Sequence, residues 1–86
     1  MKLSSDFLVH HSGKETVVVP TGNAAFSGIV KGNDTFGEIV ELLKKDTTEE
    51  EIITKMMTQY DAPRKTIEKD VTFVVGNLRK IGALDE

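Results

Sequence analysis

The sequence predicts an α+β fold: a three-stranded antiparallel sheet followed by a three-helix bundle, arranged like a winged helix. Three observations predict it. Short β-branched runs separated by turn residues fill the first third of the chain. Two capping signatures then open helical patterns. A long amphipathic stretch closes the chain.

The first run, Phe7-Leu8-Val9-His10-His11, favours a strand over 7–11. Ser12-Gly13-Lys14 supplies turn chemistry, and Thr16-Val17-Val18-Val19 carries a second strand over 15–19 that stops at Pro20. A third strand is expected over 26–31, weakened by Gly28. A sheet this small has an unpaired edge. If the third strand forms it, Gly28 lets another backbone come close.

Thr35 and Glu38 fit a capping box for a first helix over 35–45, with Phe36, Ile39, Val40 and Leu43 on its apolar face. Thr48-Glu49-Glu50-Glu51 is a clearer box for a second helix over 48–60. Its acids sit at the positive end of the helix dipole, and Ile52, Ile53, Met56, Met57 and Tyr60 line the buried side. The third helix is expected over 63–81. Ile67, Val71, Val74, Val75, Leu78 and Ile81 repeat at the helical period. Pro63 suits the first turn and Gly82 the left-handed residue after the last. Gly76 interrupts the helix, either as a weak exposed turn or to admit a neighbouring element.

Eighty-six residues make one domain, 1–86, burying roughly 60% of its unfolded surface, which leaves little room for a layered enzyme cleft. The chain has no cysteine, which excludes disulfides and thiolate metal sites. It has no long apolar run and no signal-peptide core, so a cytoplasmic protein without a membrane span is expected. The two histidines, His10 and His11, are adjacent on a strand and point to opposite faces, a poor metal site. No cofactor and no catalytic residues are expected, because no acid–base pair, nucleophile or phosphate loop is present.

Net charge is −3, yet residues 62–81 carry five basic against two acidic residues, net +3. A positive third helix allows a second reading, a winged-helix regulator that reads DNA. The acidic remainder of the chain weighs against it, since phosphate contacts supply most non-specific affinity. A third reading is a small subunit that only docks onto a larger enzyme.

Taken together, FLVHHSGKETVVVP, FSGIVKGND, TFGEIVELL, TTEEEIITKMMTQYD and EKDVTFVVGNLRKIGAL resemble the PqqD-like family, the RiPP recognition elements. The resemblance covers roughly Asp6 to Leu84. It is carried most by Asn33 before Ile39-Val40, by Thr48 to Ile52 with Tyr60, and by Asp70-Val71, Leu78 and Gly82-Ala83-Leu84. It implies a non-catalytic chaperone that holds the leader of a ribosomally made precursor peptide and presents it to a modifying enzyme, a radical-SAM protein in the PqqD branch. It also implies that the leader adds as a strand beside the third strand and lies against the third helix. Carried over, the peptide-binding residues are Phe26, Ser27, Gly28, Ile29, Val30 and Lys31 on the strand. On the helix they are Arg64, Ile67, Glu68, Val71, Val74 and Val75, with Arg64 and Lys65 placed to pair with leader acids.

Overall fold

The computed structural model describes residues 1–24 and 27–86. The elements are β1 (Lys2–Leu3), β2 (Phe7–Ser12), β3 (Glu15–Pro20), β4 (Val30–Gly32), α1 (Asp34–Leu42), α2 (Glu49–Gln59), α3 (Arg64–Lys80) and β5 (Leu84–Asp85). Strands β2, β3 and β4 form an antiparallel sheet in that order, and β1 pairs with β5 in a second, two-stranded one. This is the expected α+β class.

The β2–β3 hairpin runs from Phe7 opposite Pro20 to Ser12 opposite Glu15. Its inward residues, Phe7, Thr16 and Val18, are buried, while Leu8 and His10 on the other face are exposed. That alternation is the pleat at work. The third strand is shorter than the expected 26–31. Val30 pairs with Val18 and Gly32 with Thr16, but Ser27, Gly28 and Ile29 lie outside it. Ser27 to Ile29 are exposed, and so have no buried face to hold them in register. Phe26 lies outside the described residues.

The first helix begins earlier than the capping-box reading places it. Asn33, not Thr35, is the cap: its side-chain Oδ1 accepts the Phe36 N–H at 3.1 Å. Asn33 is extended, as a cap must be, and Asn is among the strongest cap residues. The helix also ends at Leu42, short of the expected 45. At α2, Thr48 Oγ1 accepts the Glu51 N–H at 3.1 Å, as expected. Glu51 does not complete the box; its carboxylate accepts from the Thr47 hydroxyl. Met56 is buried, but Met57 is 36% exposed and is not a core residue. Successive helical residues are about 100° apart, so with Ile52, Ile53 and Met56 facing inward, Met57 falls past the edge of the buried face.

Helix α3 buries Ile67, Val71, Val74, Val75 and Leu78. Burying each such side chain contributes about 1.5–3 kcal/mol, and this stripe fixes the helix against α1 and α2. Pro63 stands one position before the helix, where its carbonyl accepts the Ile67 N–H. At the other end, the Ala83 N–H donates to the Leu78 carbonyl and the Gly82 N–H to that of Arg79. With Gly82 at φ +76, this is the expected left-handed stop. The space beside Gly76 is open, which favours the weak exposed turn over close approach.

The short β1–β5 pair has no counterpart in the sequence reading. Leu3 N–H donates to the Leu43 carbonyl and Ser4 N–H to that of Ala83, so the N-terminal segment ties the end of α1 to the chain beyond α3. Among the described residues, no helix is long and apolar enough to cross a membrane.

Candidate peptide groove between β4 and α3

Position 32 brings the two sides of the site together. Gly32 lies against the ring of Phe36, and a Cβ there would overlap that ring. Strand β4 thereby runs directly into the first turn of α1. Across from it lies the middle of α3. Lys31, Gly32, Asn33, Thr35 and Phe36 on one side, and Asp70, Phe73 and Val74 on the other, enclose a hollow of about 310 Å³. Among the described residues, β4 has one strand neighbour, β3. Its other edge has no strand partner among those residues.

Phe73 stands out on the helix side. It is 70% exposed, the most exposed large apolar side chain among the described residues. A second hollow of about 450 Å³ lies against its other side, lined by Lys65, Glu68, Lys69 and Thr72. The ring is thus a ridge between two depressions. Helical periodicity assigns Phe73 to neither face of α3. An aromatic among Lys69, Asp70 and Thr72, off the buried stripe, was the available signal.

The candidate residues divide into three groups. Lys31 and Val74 line the first hollow and Glu68 the second. Ser27, Gly28 and Ile29 are exposed beside β4, with Ile29 half open at 52%, and Val30 is half-buried within the strand. Ile67, Val71 and Val75 are buried in the core, Val71 completely, and line neither hollow. The family mapping gave the helix side as Arg64, Ile67, Glu68, Val71, Val74 and Val75, and its four apolar members belong to the stripe that the core uses.

Arg64 lies outside both hollows. Its guanidinium donates to Glu50 at 2.7 Å and to Glu68 at 3.1 Å, and these partners hold its pKa above the ordinary arginine value. Arg79 is likewise engaged with Glu86 at 2.8 and 2.9 Å. Two of the five cations on the helix are therefore matched by acids, which reduces the positive field that the DNA reading needs.

One polar chain elsewhere has the look of a catalytic relay. Thr16 Oγ1 lies 2.8 Å from His11 Nδ1, and His11 Nε2 lies 3.0 Å from Glu41. An ionised Glu41 only accepts, so His11 Nε2–H donates to it, and in the neutral ring the Thr16 hydroxyl then donates to Nδ1. The Thr16 residue is only 4% exposed, and Gly37 of α1 packs directly on its hydroxyl. The chain fastens α1 to the sheet. Among the described residues, no group of three or more His, Asp or Glu is placed to hold a metal ion.

The model of the family described as coenzyme PQQ synthesis protein D matches residues 15–84, most of the chain. The protein belongs to the PqqD family. No curated protein matches it closely. Among solved structures, the PqqD-family chain resembles TbiB1 in complex with the TbiA(beta) leader peptide, at 22% identity and a TM-score of 0.80, over 99% of this chain and 95% of that one. It also resembles lasso peptide synthetase B1 complexed with the leader peptide, at 20% identity and a TM-score of 0.74, over 95% and 93%. Identity at that level establishes a shared fold.

Proposed function

We propose that this PqqD-family protein is a non-catalytic carrier for the leader segment of a ribosomally made precursor peptide. The leader lies in the groove between β4 and α3 and adds a strand to the open edge of β4. The observation that carries this reading is the unpaired β4 edge facing an exposed aromatic ring across a preformed hollow. Main-chain bonding gives affinity, and every second guest side chain turns toward the helix. Both similar solved structures, by their descriptions, hold a leader peptide, which supports the same use of the groove here.

Magnitudes assign the work. A three-residue edge offers only a few hydrogen bonds, each contributing about 1 kcal/mol net. Micromolar affinity needs about 8 kcal/mol. The remainder falls to apolar burial, and among the described residues Phe73 is the most exposed large apolar side chain available for it.

The bound precursor is presented to a modifying enzyme. A radical-SAM enzyme is the first partner to test, from the family resemblance. A lasso peptide synthetase is the second, from the structural likeness. Titrating the leader of a precursor encoded beside this gene into labelled protein tests the core of the proposal. Amide shifts at residues 27–32 and 70–74 are expected. Shifts confined to other faces, or none, would remove it.

A further inference from the structure

The second hollow belongs wholly to α3 and lies on the side of Phe73 away from β4. Strand addition alone gives it no occupant. Its charge balance is unequal. Glu68 is held by Arg64, whereas Lys65 and Lys69 make no ion pair among the described residues. The first hollow is mixed, with Lys31 and Asp70 both at its rim. The groove is therefore polarised: a balanced end at β4 and a cationic end over α3, with the Phe73 ring between.

We infer that the bound peptide continues past Phe73 and lays an acidic side chain over Lys65 and Lys69, with an apolar side chain against the ring. This rests on the carrier function proposed above and adds a sequence rule to it. Main-chain pairing at β4 does not discriminate between sequences. A carboxylate over two ammonium groups, beside an apolar anchor, does so by side-chain chemistry and fixes the direction in which the guest lies. Both lysines are exposed, so each pair acts more on encounter rate and register than on final affinity.

Selection from a displayed library of random 16-residue peptides against the full chain provides the test. Selected peptides are expected to carry Asp or Glu at a fixed offset from an aromatic or branched apolar residue. A representative peptide should lose roughly two- to fivefold in affinity when that acid becomes the amide, most of it in the association rate. Against Lys65→Glu/Lys69→Glu, selection should return a basic residue at the same offset. The Lys65→Gln/Lys69→Gln form, with circular dichroism on both variants, guards against a folding defect. The same sequences emerging from native and reversed protein, still displaced by Phe73→Ala, would overturn this inference and leave the carrier function standing. Failure of any peptide to be enriched would overturn both.

Discussion

Gly32 and Phe36 are in such close contact that the strand and the helix meet without room for a methyl group between them. This contact sets the height of β4 relative to α1, and therefore the shape of the groove. Replacing Gly32 with alanine is expected to destabilise the fold by about 1–3 kcal/mol through overpacking. Adding Phe36→Leu, which withdraws the ring, should recover part of the loss. Urea unfolding of the single and double variants checks this; equal stability of Gly32→Ala and the native protein would contradict it.

Phe73 and Val71 are two residues apart on α3, yet one is 70% exposed and the other fully buried. Phe73→Ala should change stability by less than about 0.5 kcal/mol while weakening leader binding at least tenfold. Val71→Ala should cost about 1–3 kcal/mol of stability and leave the affinity of the folded fraction nearly unchanged. Thermal melts and calorimetric titrations of the same two variants separate the roles.

Asn33 caps α1, and Thr35 lies one residue inside the helix. Asn33→Ala is expected to cost about 0.5–2 kcal/mol, and Thr35→Ala far less. Because Asn33 also borders the first hollow, its loss should disturb amide signals on both sides of the groove. Denaturant midpoints for the two variants decide which residue is the cap.

Gly76 faces open space within α3, so a methyl group there meets nothing. Gly76→Ala should stabilise the protein by about 0.5–1 kcal/mol through helix propensity. A raised melting temperature with unchanged peptide affinity is the expected pair of results.

The Glu41 carboxyl is held below the ordinary glutamate value, first by its hydrogen bond to the Lys44 ammonium and then by that to His11. A carboxyl lowered in the folded state stabilises the protein fully above the unfolded-state pKa. The contribution fades as pH falls through the lower, folded value. Glu41→Gln should therefore be less stable near neutrality, by under about 1 kcal/mol because the pair is exposed. The gap from the native protein should close on acidification below the ordinary glutamate range. Stability measured against pH for both proteins gives the answer.

The sequence by itself determined the class and order of the main elements. Alternation in Phe7 to Pro20 and the stripe from Ile67 to Leu78 are written at periods of two and 3.6 residues, because burial on one face requires it, while the Thr48 cap and the stop at Gly82 are single-residue signals of where a helix begins and ends. What only the tertiary structure decided is which apolar residues remain open. Periodicity marks residues that bury, so it named Val71 and Val75, which the core consumes, and passed over Phe73, which is 70% exposed among the described residues. The fate of charge was equally invisible. Arg64 and Lys65 are neighbours in the chain, but α2 brings Glu50 to Arg64 and leaves Lys65 at the groove. Local pattern reports what a residue's own element needs; a site is made of what the packing of several elements leaves unsatisfied.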